Sequence, residues 1–233
     1  MSETDDEVHA LAGVAGELGP LLNRVVFFGI ATCRDQFDAV TRVRAPVTPQ
    51  MQFYALSTTA LDRFGGELSS AGWRRLSRAI GAERWASPSG IVLSLEAATS
   101  EASDSPDAAI LEYASLMTRS VPIGPGAAVR VSAVAAQVPL LWQLHARTGL
   151  AFSASSWVED LIEIVVRKSG IVGEIGALPE ELRTMVARSA AAFAASEAAL
   201  WTIERALPDA RTTPGFAAQA LERFRVIAGL ATG

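Results

Sequence analysis

A carboxylate inside an apolar strand is the first candidate for chemistry. Glu96 interrupts the run IVLSLEA at residues 91–97, whose composition predicts the central strand of a sheet. A carboxylate that faces a cleft from such a strand is suited to general acid or base catalysis. The competing interpretation is structural, because the chain carries many arginines that could pair with Glu96.

The single cysteine is a second candidate. Cys33 follows Gly29 by four residues, at the start of a helix predicted over residues 30–43. A helix N-terminus lowers the pKa of a thiol, which would make Cys33 a nucleophile in a cleft. No histidine partner is evident, so a small buried residue is the competing interpretation. The two histidines, His9 and His145, are too far apart in sequence to indicate a metal site.

The elements that would position these residues alternate in type along the first half of the chain. Helical spacing of apolar residues covers 8–22, and RVVFFG at 24–29 predicts a buried strand. Residues 51–56 predict a second strand, and residues 58–79 predict a helix with breaks at Gly65–Gly66 and near Gly72. The turn SPSG at 87–90 predicts a hairpin between residues 83–86 and 91–97. A helix over 107–118 and an extended segment over 121–132, turning at 124–126, complete this half.

The second half of the chain predicts helices alone. Their ranges are 133–146, 156–168, 179–206 and 215–230. Strands therefore concentrate in the first half and helices in the second. We expect an α/β (α+β) protein with a sheet-containing core at residues 1–132 and a helical lobe at residues 133–233 packed on it.

Composition excludes several classes of protein. Of 233 residues, 50% are hydrophobic and 19% charged, which predicts a sizeable core and excludes disorder. No apolar run approaches the roughly 18 residues of a membrane span, and the acidic start predicts no leader peptide. One cysteine excludes a disulfide framework, so we expect a cytoplasmic protein. The net charge of −5 gives no reason to expect nucleic acid as a partner. A group of arginines in the middle section predicts a solvated face, or contact with a phosphate or an acidic partner: Arg42, Arg44, Arg74, Arg75, Arg78 and Arg84.

The order of predicted elements resembles the nucleotidyltransferase fold of the polymerase β superfamily, in the form found in AbiEii-type toxins and related bacterial nucleotidyltransferases. The resemblance extends over about residues 8–210. It is carried by six segments: LGPLLNRVVFFGIAT at 18–32, VTPQMQFYAL at 47–56, residues 85–97, RVSAVAAQVPLLWQLHA at 130–146, SSWVEDLIEI at 155–164 and GALPEEL at 176–182. It implies a mixed β-sheet core followed by a helical C-terminal lobe.

The resemblance also implies which residues line the cleft, and most of them lack the charge that the family uses. The family binds two divalent metals through an Asp-x-Asp pair on one strand and a third Asp on a neighbouring strand. Gln50 and Gln52 occupy the positions of the pair, Ser94 the third position, and Gln143 that of a phosphate-contacting lysine. Ile30 follows Gly29 where the family has a second small residue. We therefore expect no metal and no cofactor.

The substitutions predict a remodelled cleft. Trp142 and Trp157 replace small or polar residues, which indicates either core packing or an apolar pocket for a small molecule. We expect a neutral ligand bound by Gln50, Gln52, Ser94, Gln143, Trp142, Gly29 and Cys33, with Glu96 as the acid or base if there is turnover, for instance in a tailoring step of specialised metabolism.

Two alternatives stay open. One is an active, magnesium-dependent nucleotidyltransferase of the toxin type whose carboxylates lie elsewhere. The other is an inactive protein that binds a partner, as in a toxin–antitoxin pair. The mean hydropathy of +0.27 favours a homo-oligomer or a protein partner in each case.

Overall fold

The computed structural model describes residues 3–37, 52–79, 81–98 and 106–231. It divides the chain into two compact units. The first unit holds the described residues up to 35 and from 52 to 133, and the second holds residues 36–37 and 134–231. Every strand of the described sheet lies in the first unit.

Seven strands of the first unit form one mixed sheet. They are β1 Val25–Phe28, β2 Gln52–Ser57, β3 Arg74–Ala79, β4 Ala82–Ala86, β5 Val92–Ala97, β6 Thr118–Gly124 and β7 Ala127–Ser132. Their order across the sheet is β3-β4-β5-β2-β1-β7-β6. The pairs β1–β7 and β2–β5 are parallel, and the other four pairs are antiparallel.

The same unit contains three α-helices, one before β1 and two between strands: α1 Glu3–Leu18, α2 Leu61–Ser70 and α3 Pro106–Leu116. Side chains alternate between the faces of a strand, so Phe27, Phe53 and Leu93 project from one face. That face is buried with the apolar residues of α1 and α2, such as Val14 and Phe64, in one hydrophobic cluster. The opposite face carries Gln52, Ser94 and Glu96, together with buried apolar side chains such as Phe28 and Leu56.

A buried carboxylate links the outer strands to α2. Glu83 of β4 is 2% exposed, accepts a hydrogen bond from Trp85 Nε1 at 2.9 Å, and lies 3.3 Å from Arg75 Nη1. The guanidinium of Arg75 also lies over the indole of Trp85, 5.6 Å from its centroid. Because ion pairs and hydrogen bonds offset the loss of water, this carboxylate can remain in the core.

The second unit contains seven described helices: α4 Val134–Thr148, α5 Ser156–Arg167, α6 Ile171–Gly176, α7 Glu180–Ala194, α8 Ala199–Ala206, α9 Pro208–Thr212 and α10 Phe216–Gly229. Helix α5 packs on α4 through an apolar stripe at helical spacing that includes Val158, Leu161 and Val165, all of them buried. Helix α10 packs on α7. Buried rings from α4, α7 and α10 meet in the core of this unit.

The structure confirms the mixed α/β fold class and most of the predicted elements. Both hairpins, the strand after the first helix and the helix that begins at Pro106 are present. The helix predicted over 58–79 is wrong in its second part, since α2 ends at Ser70 and β3 follows. Gly65 and Gly66 lie inside α2, where we expected a break.

Two other helix predictions need correction, and two short helices were missed. The helix predicted over 30–43 is, in its described part, two short 3-10 turns at Ile30–Thr32 and Arg34–Gln36, and its remainder lies outside the described residues. The helix predicted over 179–206 is divided into α7 and α8. The short helices α6 and α9 were not predicted, because segments of five or six residues are too short for helical periodicity to show.

Gly65 is required by its close contact with β4, and its neighbour provides a matched control. A Cβ atom at Gly65 would lie 2.9 Å from Trp85 Cζ2 and 3.2 Å from Glu83 Oε2, whereas one at Gly66 would meet nothing within 4 Å. We predict that Gly65→Ala lowers the free energy of unfolding by about 1–3 kcal/mol through overpacking. Gly66→Ala should raise it by about 0.5–1 kcal/mol, since alanine is the better helix former.

Urea unfolding of both variants, beside the wild type, measures these changes. Equal effects of the two substitutions would show that α2 does not approach Trp85 as closely as the structure has it.

Candidate functional site

Polar side chains form a row on the sheet face opposite the hydrophobic cluster. The β2–β5 register places Gln52 beside Val92 and Tyr54 beside Ser94, and Arg84 of β4 pairs with Ser94 from the other side. Gln52 Nε2 donates a hydrogen bond to Ser94 Oγ at 2.7 Å. Arg84 Nη2 donates to Gln52 Oε1 at 3.4 Å. We call Arg84, Gln52 and Ser94 the polar row.

Two aromatic rings and one carboxylate border the polar row. Phe28 pairs with Tyr54 across β1 and β2, and their ring centroids are 5.7 Å apart. Glu96 projects from the same face of β5 as Ser94, two residues further along, and is half-buried. Phe28 is buried, so this surface offers an amide, a hydroxyl, a carboxylate and the half-buried ring of Tyr54 to a small molecule.

A tight turn closes the end of β1 beside this surface. Gly29 adopts φ 96° and ψ 171°, a conformation that residues with a side chain rarely take. Its carbonyl accepts two hydrogen bonds from Thr32, at 3.0 Å from the amide and at 2.7 Å from the hydroxyl. Phe28, the last residue of β1, pairs with Tyr54 near the start of β2. The turn therefore begins at the end of the sheet where β2 and β5 start.

The structure corrects the basis of the prediction for Cys33. The residue lies at the C-terminal end of the 3-10 turn Ile30–Thr32, where we expected the N-terminus of an α-helix. Its side chain is 0% exposed. The residue lies between two short 3-10 turns rather than at the start of an α-helix, and its burial favours the interpretation of Cys33 as a small buried residue.

An arginine that the sequence analysis missed holds the segment after this turn. Arg119 of β6 donates two hydrogen bonds to the carboxylate of Asp35, at 2.7 and 2.6 Å, and a third to the carbonyl oxygen of Thr32. Paired donation to one carboxylate is among the stronger polar contacts. This ion pair connects residues that are 84 positions apart in the chain.

The remaining predicted site residues lie elsewhere. Gln143 and Trp142 are on α4, in the second unit, and Gln143 is half-buried. Trp142 is 3% exposed, and its ring lies 6.2 Å from those of Phe152 and Phe193 in the core of that unit. These contacts favour the interpretation of Trp142 as a core residue. Gln50 lies outside the described residues.

His145 belongs to the same aromatic core. Its ring lies 5.0 Å from that of Phe152, at 31°, and 6.2 Å from that of Trp142. Among the residues that the structure describes, Nδ1 has no hydrogen-bond partner. Burial lowers the pKa of His145, because the imidazolium loses its hydration there. These contacts favour the interpretation of His145 as a structural residue in the core of the second unit.

The lowered pKa of His145 makes stability depend on pH. In the unfolded chain the imidazole of His145 takes up a proton near pH 6.5, whereas in the folded protein it does so only at lower pH. The free energy of unfolding therefore falls as the pH drops below about 6.5. We predict that His145→Phe flattens this decline between pH 5 and 7. His9→Gln should leave it unchanged, because His9 is exposed.

Urea midpoints measured across this pH range test the prediction. A decline as steep in His145→Phe as in the wild type would show that another group is responsible.

Two further findings concern the described part of the chain. It holds no group of three or more histidine, cysteine, aspartate or glutamate residues that could bind a metal ion. None of its helices combines the length and the apolar character needed to cross a membrane. Comparisons with known proteins add no assignment, since no family model and no curated protein matches the sequence. The geometry of the polar row and its surroundings is therefore the basis on which a function can be inferred.

Proposed function

We propose that this chain has a nucleotidyltransferase-like fold without the acidic metal site and that it binds a small neutral molecule on the sheet face around the polar row. The observation that carries the proposal is the hydrogen bond between Gln52 and Ser94. The resemblance places metal-binding aspartates at these two positions. Here they hold uncharged side chains that bond to each other, an arrangement suited to a neutral polar ligand rather than to Mg²⁺ and a triphosphate.

The arrangement of the central strands supports the same register. Strand β1 ends in a glycine turn, β2 pairs next to it, and β5 pairs next to β2. These are the strands to which the resemblance assigns the phosphate turn, the Asp-x-Asp pair and the third Asp. The order of the strands in the sheet therefore supports the proposal independently of any single residue.

In the version of the proposal with turnover, Glu96 is the general acid or base. It lies on the same face of β5 as Ser94, two residues away, so a molecule of a few atoms could contact both. Gln52 and Ser94 would orient the polar groups of the substrate. A tailoring reaction of specialised metabolism in the cytoplasm fits this chemistry. Trp142 and Gln143 belong to the second unit, and their role in binding stays a prediction from the sequence alone.

A protein partner is the second candidate function. Leu200 and Trp201 are neighbours on α8, and their side chains are 46% and 54% exposed. Large apolar side chains exposed side by side favour contact with another protein or with a second copy of this chain. This function predicts that a second protein, or a dimer, copurifies with the chain.

A thermal-shift screen separates the proposal from an active nucleotidyltransferase. We predict that a neutral metabolite raises the melting temperature, whereas Mg²⁺ with any nucleoside triphosphate does not. A ligand at 100 times its dissociation constant adds about 2.7 kcal/mol, or about 5–10 °C for a protein of this size. A shift that requires both Mg²⁺ and a triphosphate would overturn the proposal.

Glu96→Gln then tests for turnover of the compound found in the screen. The substitution keeps the shape of the side chain and removes its proton transfer, so turnover should fall by about 10²–10⁴-fold while the thermal shift persists. Glu112→Gln, at an exposed position of α3, is the control. Unchanged turnover in Glu96→Gln would remove the acid or base that we assign.

A further inference from the structure

The hydrogen bonds of the polar row are donated in one direction, from Arg84 to Gln52 and from Gln52 to Ser94, and the chemistry of Arg84 determines this direction. A guanidinium donates hydrogen bonds and accepts none. Arg84 must therefore face the oxygen of the Gln52 side chain, as it does at 3.4 Å from Oε1. The amide nitrogen of Gln52 then faces Ser94 and donates to its Oγ at 2.7 Å. With the amide reversed, its NH₂ group would face the guanidinium, donor against donor.

This direction determines what the Ser94 hydroxyl can do. A hydroxyl accepts through its oxygen and donates one proton. Since Gln52 supplies the donor in their shared hydrogen bond, the hydroxyl proton of Ser94 is left for another acceptor. Gln52 is the hydrogen-bond partner that the described residues give Ser94. The side chain of Ser94 is half-buried. A hydroxyl donor without a partner costs free energy in such a place, and this cost favours binding of a ligand that supplies an acceptor.

We propose that Ser94 donates a hydrogen bond to a carbonyl oxygen of the ligand, and that Arg84 sets this role through Gln52 without touching the ligand. The inference depends on the proposed function, since it names the ligand class of the same surface. The class is a neutral carbonyl compound, such as an amide, a lactam or a ketone. An apolar or aromatic portion of the molecule would lie against Tyr54, whose half-buried side chain is beside Ser94 on the same face.

Three fluorinated probes of one size distinguish the possible ligand classes. 4-Fluorobenzamide carries a neutral carbonyl, 4-fluorotoluene lacks an acceptor, and 4-fluorobenzoate carries an anion. Fluorine NMR line broadening with the full chain measures the dissociation constant of each probe. We expect the benzamide to bind more tightly than the other two.

Substitutions in the polar row then test the direction of donation. Ser94→Ala removes the donor and should weaken benzamide binding about 2- to 10-fold, whereas Ser94→Thr keeps the hydroxyl and should retain binding. Gln52→Glu presents only acceptor oxygens, so Ser94 donates to residue 52 and benzamide binding should weaken to a similar extent. The circular dichroism spectrum and melting temperature of each variant verify that it is folded.

Arg84→Met tests the role of Arg84 as a positioning residue. Without the guanidinium the Gln52 amide can turn, so benzamide affinity should fall by about twofold although Arg84 lies outside the contact. Arg74→Met is the matched control, since Arg74 is an exposed arginine on the neighbouring strand. A side-chain ¹⁵N spectrum gives a readout without ligand, because Ser94→Ala should shift a Gln52 NH₂ proton.

The outcomes separate this inference from the proposed function. Benzamide binding that is equal in the wild type, Ser94→Ala and Gln52→Glu would overturn the donor role of Ser94 and leave the binding surface in place. Tighter binding of the benzoate would overturn the neutral class and assign Arg84 as the direct contact. Failure of all three probes to bind the wild type would contradict the binding surface itself, and with it the proposed function.

Discussion

The parallel register of β2 on β5 determines which side chains can act together in this protein. With Gln52 beside Val92, the residues Phe53 and Leu93 enter the hydrophobic cluster, while Gln52, Ser94 and Glu96 project from the other face. A slip of one residue would exchange the two sets, because strand side chains alternate with a period of two. The burial of the apolar set therefore holds the polar row in place, and the candidate site depends on the core beneath it.

Strand β4 contributes side chains to both faces of the sheet, because successive residues of a strand alternate between the faces. Glu83 and Trp85 point into the core, where they bond to each other and contact α2 and Arg75. Arg84, between them, points to the opposite face and contacts Gln52. The buried carboxylate of Glu83 and the exposed guanidinium of Arg84, one residue apart, thus have different roles. The first fixes the outer strands, and the second sets the orientation of an amide in the candidate site.

Much of the fold followed from local signals in the sequence. The turn SPSG and the glycine turn at 124–126 mark both hairpins, and FF-Gly marks the end of β1. Strand β3 could not be predicted from the sequence, because its residues are all exposed and show no alternation of apolar and polar side chains. It is a strand because it pairs with β4. The facing of Gln52 and Ser94 was expected from the resemblance. The roles of Arg84 and Arg119 were not, because each depends on a partner that is distant in sequence, 32 and 84 positions away.

The central proposal is that neutral side chains stand where the resemblance to nucleotidyltransferases places metal-binding carboxylates, and it can be tested by restoring the charges. Gln50→Asp with Gln52→Asp restores the acidic pair at i and i+2 that the resemblance assigns to one strand, and calorimetry of Mg²⁺ or Mn²⁺ binding measures its effect. If the register is right, the double variant should bind the ion measurably and more tightly than the wild type, because two carboxylates converge on one face. No gain in affinity over the wild type would contradict the register, and with it the relation between the polar row and the metal site of nucleotidyltransferases.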